Sequence, residues 1–324
     1  MILEILDLWF PPFLNCDFHY SGIVIPHNPE LWFSLLLNDD FHNSEKCLFS
    51  PCFLLLVANL HIPHIFSVSI ANLQFFYDLP AQIADLHNQV YGLENTDLLT
   101  AIDTEQPDII LLPGDMIVCR KSERKNNRVT ADTIRKMTEI APVYYSYGNH
   151  ERGLLECVRE TDGIWQEYSQ HLKGAHHLHV LVNAHEFLEP WNVCLYGLDL
   201  PRAYYKRLIK KPLREEVLTS MLGTMQPDRC NVLLAHNPDY FRTYCTLHPD
   251  LIVSGHNHGG MVRLPGLGGV ISPRLHPFPK YDYGVYESAD IKTKMVVTAG
   301  CGMHSIHIRI NNPPEMVVID VNKM

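Results

Sequence analysis

Pro107-Asp-Ile-Ile-Leu-Leu-Pro-Gly-Asp115 is the stretch from which the rest of the chain can be read. Four consecutive apolar residues, Ile109–Leu112, closed by proline and glycine, fit a short strand buried on both faces. A strand with one face in water would alternate polar and apolar residues instead. The aspartate comes directly after the turn, at the strand's carboxyl end, where α/β sheets bind their ligands. Val143–Tyr147, Val193–Leu198, Val232–Ala235 and Leu251–Ser254 repeat the apolar pattern. Three of these also run into polar clusters: Gly148-Asn149-His150-Glu151, His236, and Gly255-His256-Asn257-His258. Upstream, Asp85-Leu86-His87 precedes a turn-like Asn88-Gln-Val-Tyr-Gly92.

Between the apolar runs lie amphipathic segments. Leu98, Leu99 and Ile102 follow a cap candidate at Asn95 or Thr96, and Ile134, Met137 and Ile140 share one face. Ile164, Trp165, Tyr168 and Leu172 make another stripe, and a further helix is expected over Val217–Leu222. Strand–helix alternation of this kind predicts an α/β fold, with a mainly parallel sheet and helices on its faces. Met295–Ala299 and Met316–Val321 read as late strands of a second sheet. No internal repeat is present.

A chain of 324 residues suffices for one large domain, or for a large domain with an appendage. The organisation expected is an apolar N-terminal region over 1–80 followed by a catalytic domain over 81–324. From Cys47 to Tyr77 there is no charged residue, which meets the length of a membrane span, about 20 residues. Pro51, Pro63, Asn59, His61 and His64 interrupt that run, and no basic cluster flanks it. A membrane-associated anchor, a packed apolar appendage and a poorly ordered region all stay open there. Glu4 and Asp7 near the start do not fit a secretory signal. Nine cysteines without a CxxC pair suit reduced thiols in a reducing compartment, hence a cytoplasmic protein with or without membrane association. The formal charge of −10 argues against a surface that grips nucleic acid by counterion release. The composition is silent on oligomeric state.

Taken singly, an Asp or His at a strand end is more often a cap than a ligand. Five such clusters in order, each on the same type of element, are not all caps. Carboxylate, imidazole and amide oxygen together make a mixed ligand set, which suits Zn, Mn or Fe better than Ca or Mg alone. The candidates are Asp85, His87, Asp115, Asn149, His236, His256 and His258, with His150 and Glu151 beside them.

The series Asp-x-His, Gly-Asp, Gly-Asn-His-Glu, His, Gly-His-x-His resembles the calcineurin-like metallophosphoesterase superfamily. Pro107–Asp115, Asp250–Gly260, Arg263-Leu-Pro265 and Pro313–Ile319 resemble its bacterial branch of small membrane-associated phosphoesterases. The likeness covers roughly residues 81 to 324. It implies a four-layer α-β-β-α sandwich of two mixed sheets flanked by helices. It also implies a site with two divalent ions: Asp85, His87 and His258 holding one, Asn149, His236 and His256 the other, and Asp115 bridging. A hydroxide between the ions would attack phosphorus. His150 would stabilise phosphoryl oxygens or protonate the leaving oxygen, and Glu151 would form a salt bridge or orient a ligand. The implied activity is hydrolysis of a phosphomonoester or phosphodiester, the partner being a small phosphate-ester substrate. A nuclease on the same fold and a non-catalytic scaffold are the alternatives.

Some segments depart from that pattern or add to it. Pro80 stands where a central strand would lose a ladder hydrogen bond, so the first strand is expected to be short. His304 and His307 are unusual in the glycine-rich closing segment, and read as solvated or packed side chains rather than substrate contacts. Lys121–Arg128 reads as an exposed loop near the site. The basic run Arg202–Arg214 reads as a solvated linker, with phosphate or membrane contact as the other reading. Tyr281, Tyr283 and Tyr286 read as packing residues.

Overall fold

The computed structural model describes residues 67–73, 80–119, 124–157, 163–206, 210–264, 266–272, 276–303 and 309–321. Its strands fall into two six-stranded sheets and one small hairpin. The first sheet contains β1 (Ser67–Leu73), β2 (Pro80–Gln82), β3 (Ile109–Leu112), β4 (Val143–Tyr145), β5 (Leu178–Val180) and β14 (Glu315–Val321). Its order is β1-β14-β2-β3-β4-β5; β2 through β5 run parallel, and β14 is antiparallel to β2 but parallel to β1. The second contains β6 (Ala184–Leu188), β7 (Val193–Leu198), β8 (Cys230–Ala235), β9 (Leu251–Ser254), β12 (Gly284–Glu287) and β13 (Lys294–Val297). Its order is β12-β13-β9-β8-β7-β6, with four parallel strands inside and an antiparallel strand on each edge. Arg263–Leu264 (β10) and Gly268–Gly269 (β11) form the hairpin. The longer helices among the described residues are α1 (Thr96–Glu105), α2 (Arg124–Ile140), α3 (Asn149–Glu156), α4 (Ile164–Leu172) and α5 (Glu215–Leu222).

The period of two along each strand explains the layering. Ile109 and Leu111 face the second sheet, sharing an apolar layer with Val193, Leu195, Val232, Leu234 and Val253. Ile110 and Leu112 point the other way, into a layer with Leu98, Ile102, Ile134, Met137 and Tyr168 from the helices. On the far side, Tyr196, Leu233 and Ile252 pack against Leu218, Leu222 and Tyr244. Three apolar layers separating four layers of secondary structure require unbroken apolar strands, because each strand is covered on both faces. The expected α-β-β-α sandwich of two mixed sheets is what forms.

Several local expectations resolve here. Pro80 begins β2, whose ladder with β14 engages only Ala81 and Gln82, so the missing proline N–H breaks no bond on that side. Met316–Val321 is a strand, but of the first sheet rather than the second. Its local sequence specifies an extended segment and leaves the partner open. The stretch 121–128 is not a loop throughout: α2 starts at Arg124, and Asn127 is buried, accepting from Asn88 Nδ2 at 2.6 Å. The first sheet also begins earlier than residue 81, because β1 lies within the apolar 47–77 region. The remainder of that region, and His304 and His307, lie outside the described residues. Among the described residues no helix is long and apolar enough to cross a membrane.

Candidate metal centre

The parallel strands of both sheets end at the same side, and the polar clusters follow those ends. Leaving β2, the chain turns through Asp85 and His87, pinned to the turn after β3 by three backbone bonds. Asp85 N donates to Gly114 O at 3.0 Å, His87 N to Asp115 O at 3.1 Å, and Asn88 N to Met116 O at 3.1 Å. The turns are tight enough that five of the seven candidate ligands carry a left-handed backbone: Asp85 (φ 52°), His87 (48°), Asp115 (54°), His256 (70°) and His258 (49°). Non-glycine residues adopt this region rarely and at a cost, and such outliers gather at functional sites. Close approach is also required of the glycines before the ligands. A Cβ on Gly148 would collide with Asp115 Oδ1, and one on Gly255 with Asp85 Oδ2.

Each carboxylate is held by one oxygen and presents the other. Asp85 Oδ2 accepts from His256 N at 2.9 Å, and Asp115 Oδ1 from His150 N at 2.7 Å. Asp85 Oδ1 is then 3.4 Å from His258 Nε2, 3.6 Å from His87 Nε2 and 3.8 Å from His236 Nε2. Asp115 Oδ2 is 3.1 Å from His236 Nε2, 3.9 Å from His87 Nε2 and 4.0 Å from His150 Nε2. His87 and His258 bring their Nε2 atoms to 3.0 Å, with rings stacked. Asp85–His87–His258 and Asp115–His236–His256 are each grouped closely enough to hold an ion, and so is His87–Asp115–His150. Seven of the residues singled out in the sequence, Asp85, His87, Asp115, His150, His236, His256 and His258, are thus drawn together, and Asn149 opens α3 immediately before His150.

The donor set fits cations. Asp85 Oδ1 and Asn149 Oδ1 are buried and make no hydrogen bond, although buried polar atoms ordinarily find partners. The Pro113 carbonyl, 3.0 Å from His236 Nδ1, can only accept; in the neutral ring the proton therefore sits on Nδ1 and the lone pair of Nε2 faces the centre. Burial opposes a charge on His236, but Asp115 and Asp85 carry its pKa up to about 9. Burial likewise opposes ionisation of Asp115, and His236, His150 and His87 hold its carboxyl well below the usual range. Two buried carboxylates thus sit among histidines that can balance their charge.

His150 differs from the ligands. Its Nδ1 accepts from Cys119 N at 3.1 Å, so the neutral ring carries its proton on Nε2, facing the centre. Its side chain is 18% exposed, against 4% or less for Asp85, His87, Asp115, His236 and His258, which leaves it within reach of a solute.

Glu151 makes no salt bridge among the described residues. Its carboxylate is a backbone hub instead: Oε2 accepts from Asp115 N at 2.9 Å and Gly148 N at 3.0 Å, while Oε1 accepts from Met116 N at 2.8 Å and Tyr145 Oη at 2.7 Å. Burial and the Asp115 charge push its pKa up to about 7, against the pull of Tyr145 and the backbone amides. Glu151 thus welds the turn of Asp115 to the turn of Asn149.

Two residues around the centre were not singled out for it in the sequence. Tyr205 packs its ring edge-on to His256 at 5.2 Å, and Arg309 places Nη2 3.4 Å from His258 Nδ1. Of the basic run, Arg202, Lys206, Lys210, Lys211 and Arg214 are exposed, and 207–209 lie outside the described residues. Lys210 and Lys211 lie over the rings of Tyr240 and Tyr204, at 4.8 and 4.5 Å. Tyr281 and Tyr286 pack edge to face and Arg263 covers Tyr283, in keeping with a packing role.

Residues 81–260 match the family model for calcineurin-like phosphoesterases. Among curated proteins, the chain is 27% identical over 244 residues to the uncharacterized metallophosphoesterase YkuE of Bacillus subtilis, covering 73% of this chain and 76% of that one. It is 27% identical over 257 residues to the phosphodiesterase YaeI of Escherichia coli K12, covering 77% and 86%. An uncharacterized metallophosphoesterase of Campylobacter jejuni is 25% identical over 234 residues, covering 69% of this chain. The alignment spans 53% of that relative's own length.

Proposed function

This chain belongs to the calcineurin-like phosphoesterase family, and from that premise we propose that it hydrolyses phosphate esters at a centre of two divalent ions. In this reading Asp85, His87 and His258 hold one ion, Asn149, His236 and His256 the other, and Asp115 is shared. The observation that carries it is the gathering of buried Asp and His ligand atoms from both sheets into groups close enough to hold ions, with Asp85 Oδ1 left without a hydrogen bond. Such a pair of ions, when bound, supplies Lewis-acid polarisation of the phosphoryl group and a lowered pKa for water. Manganese, iron and zinc all suit the donors.

The protein's own groups supply the rest. Asp115 and Asp85 bring the negative charge that keeps the ions in place, each fixed by a backbone N–H. His150 reaches a phosphoryl or leaving oxygen through Nε2–H, because the Cys119 amide occupies its other nitrogen. It can hydrogen-bond developing negative charge or pass its proton to the departing alcohol. Phosphodiesters are the substrates proposed, by likeness to the phosphodiesterase YaeI of Escherichia coli.

Purified protein is expected to carry close to two transition ions per chain by elemental analysis, and to lose activity towards aryl phosphate esters on chelation. No bound metal after repeated manganese loading would sink the reading. His150→Ala should lower kcat by on the order of 10²–10⁴ while metal content holds. An unchanged rate would remove His150 from the chemistry. Bis-aryl against mono-aryl phosphates then separates diesterase from monoesterase activity.

A further inference from the structure

We propose that Arg309 is a positioning residue that braces the Asp85–His87–His258 half of the centre and leaves the other half alone. Its guanidinium gathers acceptors from separate segments. Nη2 donates to the carbonyls of Ala299 and Gly300, each at 2.9 Å, and of Gly302. Nη1 donates to Asn312 O at 3.3 Å and Pro313 O at 3.5 Å. Nη2 also lies 3.4 Å from His258 Nδ1, a packing contact rather than a hydrogen bond, because a His258 that ligates through Nε2 keeps its proton on Nδ1. The Nε atom is shut away from solvent without a hydrogen bond, and Arg309 pairs with no carboxylate among the described residues.

The turn that Arg309 clasps is laid directly against the first ligands. Cys301 N donates to Ala84 O at 3.0 Å, and Gly302 N to Asp85 O at 2.6 Å. The Cys301 carbonyl accepts from the Tyr91 hydroxyl, so the carbonyls of all four residues 299–302 are satisfied, three of them by Arg309. From the other side Glu315 Oε2 accepts from Ala299 N at 2.8 Å. Asn312, whose carbonyl Arg309 holds, donates through Nδ2 to His258 O at 2.6 Å. Arg309 therefore ties together the backing of Asp85 and that of His258. By contrast, no hydrogen bond joins it to Asn149, His236 or His256, and His236 rests on the Pro113 carbonyl.

Only a planar fork can serve acceptors on both sides through two nitrogens; a lysine ammonium concentrates its donors on one atom. Removing supports behind metal ligands typically weakens metal affinity by about 10- to 100-fold.

The inference rests on the ligand assignment above, and titration of the metal-stripped full chain with Mn²⁺ tests both. Isothermal calorimetry on the wild type should resolve two equivalents. In Arg309→Lys, one equivalent should weaken about 10- to 100-fold and the other hold, the pattern of Asp85→Asn and not of Asn149→Ala. Near-UV circular dichroism checks folding, with Arg309→Gln as the second variant should lysine not be tolerated. Equal weakening of both equivalents, no weakening of either, or unfolding of both variants would overturn the brace in favour of a purely structural arginine or an idle one. A wild type that binds no Mn²⁺ at all would instead bring down the metal assignment itself.

Discussion

Glu151→Ala is expected to lower the thermal midpoint of the metal-stripped protein by roughly 10 °C or more. The substitution strands the backbone N–H groups of Asp115, Met116 and Gly148 and the Tyr145 hydroxyl, which all donate to this one carboxylate. Each buried donor left without an acceptor costs about 1–3 kcal/mol. Three backbone donors alone therefore remove several kcal/mol from a total stability that in folded proteins is about 5–15 kcal/mol. Glutamine offers little relief, although it is close to isosteric. Both carboxylate oxygens are acceptors here, so an amide must turn its NH₂ towards two groups that also donate. Thermal unfolding followed by circular dichroism should rank glutamine close to alanine. A glutamine variant melting within 2–3 °C of wild type, on the roughly 2–4 °C per kcal/mol scale, would mean that Glu151 is not the hub its bonds indicate.

Asp115→Asn is expected to remove turnover altogether, a loss beyond the on the order of 10²–10⁴-fold assigned to His150, with the fold retained. The asparagine Oδ1 can still accept from His150 N, as Asp115 Oδ1 does at 2.7 Å, so the turn keeps its anchor. What changes is the other oxygen. An NH₂ group would replace the anion that faces His236, His87 and His150, placing a donor where positive charge must sit. Metal content should drop below two per chain while the far-UV spectrum stays that of the wild type. Turnover within tenfold of wild type would show that the shared carboxylate is dispensable, and with it the two-ion arrangement.

The legible part of this protein is the part written locally. Ile109–Leu112 declares a doubly buried strand because each residue must meet an apolar layer on its own side, and Asp115 follows from its place at the strand's end. Partner choice is not local. Met316–Val321 reads as a strand in any context, yet only the returning chain decides that β14 lies between β1 and β2. The start of α2 was hidden for another reason. Arg124-Lys-Asn-Asn-Arg128 has no apolar stripe, and the turn is fastened by polar bonds, Asn127 to Asn88 and Thr130 Oγ1 to Asn88 Oδ1 at 3.0 Å. Arg309 left no signal because its acceptors are main-chain carbonyls, which every residue carries. Glu151 is visible as a residue, but its role depends on where five separate donors point.

The left-handed turns at Asp85, His87, Asp115, His256 and His258 set this protein at odds with any selection for stability alone. At each of these positions glycine would fit the backbone with less strain. A search for tougher variants, in the laboratory or in a lineage freed from its function, will drift towards exchanging them one by one, gaining robustness as the centre is dismantled. Anyone consolidating this fold for engineering should fix those five positions first and look for stability elsewhere.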